Sequence, residues 1–162
     1  MKRIAIFIDG TWNRPGAEHP TNVVRLARSV AKSAPDGTAQ HVIYMPGVGH
    51  GQGNTKLGRI VDRAFGGALG WGLDQIIADV YRQLVFAYEP GDELMIFGFS
   101  RGAFAARSLA GLIRSAGIAP PRHLGRIPEA LDRYASAEKP DDPKAWEFRA
   151  DFAPDRAKGS IK

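Results

Sequence analysis

Gly98-x-Ser100-x-Gly102 is the place where residue type and spacing together point to a reaction. A serine hydroxyl is a weak nucleophile until it is freed from its own backbone and offered a base. Small residues two before and two after let a strand turn sharply into a helix with the hydroxyl projecting above the sheet. The apolar run Leu94-Met95-Ile96-Phe97 precedes the pattern, and a helical stretch through about Ala116 follows it, so the strand-turn-helix context is present. Such a turn strains the serine backbone, and Ala103 and Ala106 extend the close approach of strand and helix. The Arg101 N–H, at the amino end of that helix, is expected to face the oxyanion of an attacked carbonyl, aided by the helix dipole. Ser100 is therefore the candidate nucleophile, Gly98 and Gly102 the elbow, and Arg101 one oxyanion donor. The competing reading is a tight turn without chemistry, or one that binds an anion.

The elements that must position this turn can be read from periodicity. Ile4–Ile8 is a compact apolar run ending at Asp9-Gly10-Thr11, which predicts a buried strand. Val23, Val24, Leu26, Ala27, Val30, Ala31 and Ala34 then predict a helix from Asn22, its N-cap, to Ala34, closed by the turn Pro35-Asp36-Gly37. A strand at His41–Met45 leads into the glycine-rich loop Pro46–Gly53, expected to act as a mobile lid, and a short helix near Leu57–Phe65. Leu73, Ile76, Ile77, Val80, Tyr81, Leu84, Val85 and Tyr88 carry the strongest helical signal. The run Leu94–Phe97 is continuous, as in strands buried on both faces. Successive strand-helix units predict an α/β fold, a three-layer sandwich with a mostly parallel sheet. Its functional edge is the carboxyl end of the strands, which would bring Asp9-Gly10-Thr11, the Pro46–Gly53 loop and Ser100 to one rim. Beyond Gly117 the chain predicts short helices at Ile127–Tyr134 and Pro143–Phe152 with a polar tail. Residues 1–120 are thus assigned to an α/β domain portion and 121–162 to short helices and a polar tail.

The chain resembles the α/β-hydrolase-like family that includes the phospholipase effectors of bacterial type VI secretion. The resemblance is carried by Phe7-Ile8-Asp9-Gly10-Thr11-Trp12-Asn13, by Thr21-Asn22-Val23, by Tyr44-Met45-Pro46-Gly47-Val48-Gly49, and by Gly98-Phe99-Ser100-Arg101-Gly102-Ala103-Phe104 running into Arg107-Ser108. It implies that Ser100 is the nucleophile of a lipase or esterase and that Gly10 and Thr11 supply further oxyanion donors. It also implies a sheet order of second, first, third strand, an ester or phospholipid substrate, and export by a type VI system after synthesis in the cytoplasm. No Sec signal is read at the amino terminus, where the apolar run is too short.

A departure from the family accompanies the match. In this fold the triad runs Ser, then Asp or Glu, then His. Of His19, His41, His50 and His123, only His123 follows Ser100, and no acidic residue lies between them. The sequence therefore reads as an amino-terminal portion of such a catalytic domain. His50, on the glycine-rich loop, is a candidate site-shaping residue or substitute base. His123 is expected far below the elbow helix, and His41 is read as structural. Asp9 either shapes the site or holds its loop by hydrogen bonds to backbone N–H groups. The rival function is a catalytically incomplete scaffold that acts as an interaction module, its sheet edge completed by a second chain.

Other chemistries are excluded residue by residue. The run Phe7-x-Asp9-Gly10-Thr11 looks like a phosphatase pattern with phenylalanine in place of the nucleophilic aspartate. Gly47-x-Gly49-x-Gly51-x-Gly53 lacks dinucleotide spacing. With 0 Cys there is no disulfide framework or thiolate site, and no metal-ligand spacing or cofactor is implied. The net charge of +5 is spread rather than clustered, with no nucleic-acid motif, and it suits at most a peripheral contact with anionic headgroups. Phe99 and Phe104 beside the elbow fit either an acyl chain or core packing.

Overall fold

The computed structural model describes residues 1–10, 15–16, 18–47, 68–136 and 139–154, backbone only for 68–73. Three parallel strands, β1 (Arg3–Ile8), β2 (Gln40–Met45) and β3 (Glu93–Gly98), form a sheet in the order β2-β1-β3. This is the order the resemblance implies. Ile8 pairs with Met45 on one side and Gly98 on the other, so the three strands end level at one rim.

The alternation of β1 dictates the layers, because successive side chains of a strand leave opposite faces. Ile4, Ile6 and Ile8 enter the larger core with Ile43. That core is covered by α2 (Ala68–Ala87) and α3 (Arg101–Ala116), which contribute Val80, Tyr81, Leu84, Leu109 and Leu112. Ala5 and Phe7 face the other way and pack with Val23 of α1 (Asn22–Ser29), flanked by Val42 and Tyr44. Each fully buried Ile or Leu contributes about 1.5–3 kcal/mol, so the large cluster is the main source of stability. Helices on both faces of a parallel sheet make an α/β three-layer arrangement.

Three features differ from the sequence reading. The first helix begins at Asn22 but stops at Ser29, because Val30 turns extended (φ −67°, ψ 118°) and the chain enters a bridge between Ser33 and Ala39. Its N-cap is Thr21 rather than Asn22. The run Leu94–Phe97 is not enclosed on both faces: β3 lies at the sheet edge, and Phe97 is 40% exposed, stacked on Phe7 at 4.9 Å. Among the described residues the cluster on that face draws on β1, β2, α1 and Val30, and its members do not include Phe97. The glycine-rich loop beyond Gly47 and the helix expected near Leu57–Phe65 lie outside the described residues.

After α3 the chain forms a 3-10 turn (Pro121–Arg126), α4 (Ile127–Ala135) and α5 (Pro143–Phe152). Ile127, Ala130, Phe152 and Ala153 join the large core. The far end of α3 is closed by two polar clasps. The Tyr81 hydroxyl donates to Gly117 O at 2.7 Å and accepts from Ala119 N at 3.1 Å. The Arg149 guanidinium donates to Arg114 O and Ser115 O, carbonyls that the end of α3 leaves unpaired, and to Pro140 O in the loop before α5.

Candidate active site

Two residues past the paired end of β3, Ser100 adopts φ 56° and ψ −124°, the one positive φ of a non-glycine among the described residues. A side chain in that region costs about 1–3 kcal/mol and persists where its surroundings enforce it. The enforcement is visible on both sides. A methyl group on Gly98 would overlap Gly102 O and come within 2.7 Å of the Ala103 Cα. One on Gly102 would overlap the Ile8 carbonyl oxygen and come within 2.6 Å of Asp9 O. Both glycines are thus required by close backbone approach, and the first turn of α3 is pressed against the end of β1. Phe99 N–H donates to Ile8 O at 3.1 Å, tying the turn to the central strand. Ser100 itself is exposed. Gly102 N–H and Ala103 N–H bond to Phe99 O and Ser100 O at 2.9 Å, whereas Arg101 opens the helix, where no helical carbonyl can reach its N–H.

Asp9 stands one residue past the end of β1 and is 1% exposed. Its N–H donates to Met45 O at 3.0 Å. Its Oδ1 accepts Gly10 N–H at 2.7 Å, and its Oδ2 accepts the hydroxyls of Thr21 and Tyr44, each at 2.8 Å. Thr21 Oγ in turn accepts Val24 N–H at 3.2 Å, capping α1. Burial, then the hydrogen bond to Asp9 and the Asp9 charge, push the Tyr44 hydroxyl above the ordinary phenol range, so it stays a proton donor. Thr21 and Tyr44 were not singled out from sequence as site residues. They lie 12 and 35 positions from Asp9, and a side-chain bond across that separation leaves no periodic trace. Gly10 N–H, expected to face an oxyanion, is held by Asp9 in this structure.

An open cleft of about 310 Å³ lies between the start of α1 and the elbow, lined by Pro20, Thr21, Asn22, Arg25 and Phe99. Phe99 and Phe104 are 54% and 60% exposed, so neither serves core packing. The histidines divide by position. His123 Nδ1–H donates to Phe152 O at 2.8 Å, and Phe152 precedes Ala153, which abuts Gly117 at the far end of α3. The 16 residues of α3 put about 24 Å between that end and Ser100. His41 pairs with Ile4 near the opposite end of the sheet. His19 is exposed and lies two residues ahead of the Thr21 cap. Thr11 and His50 lie outside the described residues. No cluster of metal-ligating side chains occurs among the described residues, and no helix among them is long and apolar enough to cross a membrane.

The family model for the type VI secretion system (T6SS) phospholipase effector Tle1-like catalytic domain matches residues 2–159. The chain belongs to this family. The match takes in the sheet, the elbow and the helices that close the far end of α3. A relative among curated proteins is the uncharacterized protein YEL023C of Saccharomyces cerevisiae, 29% identical over 163 residues. That alignment covers 94% of this chain and 23% of the yeast protein, so the chain spans about a quarter of that relative's length. No solved structure matches the chain.

Proposed function

We propose that this Tle1-like chain is a serine hydrolase of the lipase or esterase type that cleaves carboxylic esters of phospholipids through Ser100. The observation that carries the reading is the backbone of Ser100, φ 56° between two glycines that cannot accept a methyl group. Strain of this kind clusters at functional sites, and in a nucleophile elbow it accompanies a hydroxyl that projects above the sheet. In the proposed reaction Ser100 Oγ adds to the ester carbonyl while its proton passes to a base. The oxyanion is met by Arg101 N–H and by a donor from the Gly10-Thr11 segment, the alcohol leaves, and water releases the acyl group. His50 and Asp9 are kept as site-shaping residues. The exposed Phe99 and Phe104 suit an acyl chain laid over the elbow. Membership of a phospholipase effector family supports the lipid substrate, and export by a type VI system belongs to the same reading.

The test is reaction of the intact chain with a fluorophosphonate, read by mass spectrometry. The expected result is one adduct on Ser100, absent in Ser100→Ala. A folded chain that takes up no label, or a Ser100→Ala variant that labels equally, overturns the reading.

A second reading has its own observation: among the described residues the apolar strand β3 pairs on one side only, and Phe97 is 40% exposed. Unpaired edges invite strand addition. In this reading the chain is a scaffold completed by a second chain. Absence of labelling together with a doubled mass in solution would favour it.

A further inference from the structure

We propose that Asp9, Thr21 and Tyr44 form a positioning network that sets the β1 exit and the start of α1 against the Ser100 elbow. Three of the four sequence segments that carry the family resemblance contribute one residue each to this node, and the fourth touches it through Gly102. Asp9 is the common member. Its N–H reaches β2, its carboxylate reaches Gly10, the α1 cap and Tyr44 of β2, and its carbonyl oxygen lies where Gly102 admits no side chain. A buried carboxylate that accepts three hydrogen bonds is directional: each donor is fixed with respect to the other two. No cation bonds to Asp9 among the described residues, so geometry rather than ion pairing holds the node.

The consequence lies in where Gly10 stands. Ile8 is paired with Gly98, so Gly10 and Ser100 leave adjacent strands at the same height, two residues past the paired ends. Asp9 Oδ1 clamps Gly10 N–H and thereby fixes the orientation of the Gly10 amide at this rim. Tyr44 and Thr21 fix the carboxylate in turn. These three act through Gly10 and the elbow and are positioning residues rather than catalytic ones. Only the effect on rate rests on the nucleophile reading; the geometric claim does not.

The experiment uses the full chain and four substitutions, Asp9→Asn, Tyr44→Phe, Thr21→Ser and, as a reference, Tyr81→Phe. The reference removes a buried tyrosine hydroxyl with two backbone partners at the far end of α3. Amide hydrogen exchange and amide chemical shifts are read at Gly10, Phe99 and Ser100 under conditions where every variant is folded, followed by the fluorophosphonate labelling rate. The expected result is Gly10 exchange at least about tenfold faster in Asp9→Asn and Tyr44→Phe, with shifted Phe99 and Ser100 amides. Labelling is expected to fall on the order of 10- to 100-fold, as for a displaced reacting group. Thr21→Ser, which keeps the hydroxyl, should retain wild-type values, and Tyr81→Phe should leave all three amides and the labelling rate unchanged. Unaltered amides in Asp9→Asn and Tyr44→Phe would overturn the network, as would an equal response in Tyr81→Phe. Altered amides in a wild-type background that resists labelling would sustain the network and reject the nucleophile.

Discussion

At the amino ends of its strands the sheet is tied by opposite charges, whereas at the carboxyl ends it is tied by hydroxyl and amide donors around a single carboxylate. Below, Lys2 Nζ meets Asp92 at 2.6 Å, and Arg3 bridges Asp36 at 2.8 Å and Glu93 at 2.9 Å. Asp92 also accepts Lys2 N–H and Glu89 N–H, so the turn into β3 is satisfied on every side. The far end of α3 is equally closed, by Tyr81 and by Arg149. Above, the elbow holds an exposed serine in a left-handed backbone, flanked by an open cleft and two exposed phenylalanines. One end is built to be stable, and the other stores strain that the rest of the molecule sustains. The difference predicts that the opposite end can be weakened without changing the Ser100 rim, whereas the elbow glycines tie the rim itself to the fold.

The largest effect should come from breaking that separation at its narrowest point. Gly102→Ala would drive a methyl group into the Ile8 and Asp9 carbonyls and is expected to cost about 3 kcal/mol or more, with loss of labelling at Ser100. Denaturant unfolding with parallel labelling checks both. Arg149→Ala should come next. It leaves the Arg114, Ser115 and Pro140 carbonyls without their shared donor at a loss of about 2–3 kcal/mol, while the labelling rate of the folded fraction stays at the wild-type value. A parallel loss of labelling in folded Arg149→Ala would show that the two ends are coupled after all.

Tyr81→Phe should cost less, about 1–2 kcal/mol, measured by thermal unfolding, because the Gly117 carbonyl and Ala119 N–H lose one partner each. A smaller effect still belongs to Asp92. Burial raises its pKa, but the bonds from Lys2 Nζ, Glu89 N–H and Lys2 N–H outweigh burial and leave it lowered. A folded-state pKa below the unfolded one gives stability that is complete above the ordinary carboxylate range near pH 4 and is lost as pH falls through the lowered value. Asp92→Asn should therefore flatten the acid limb of the stability profile and leave labelling at neutral pH intact. The reverse, an unchanged acid limb, would remove Asp92 from the account of that end.

The strands were legible as compact apolar runs and the elbow from its two glycines, whereas the order of the sheet came from the family resemblance. The extent of α1 was less legible. Apolar spacing continues to Ala34, yet Val30 packs its side chain from extended backbone and the chain is drawn into the Ser33–Ala39 bridge. The apolar content of β3 misled in another way, since a run of large residues reads the same in an enclosed strand as in an unpaired edge. Within the candidate site, Ser100 was readable from five residues, whereas the roles of Thr21 and Tyr44 were not. Their partner is a carboxylate on another element, and only parallel pairing of β1 with β2 brings Tyr44 beside it.

The most direct test of the central claim is the labelling of Ser100 in the intact chain by a fluorophosphonate, with the modified residue located by peptide mass. The account predicts a single adduct on Ser100 that disappears in Ser100→Ala. A folded chain whose Ser100 remains unmodified would contradict it.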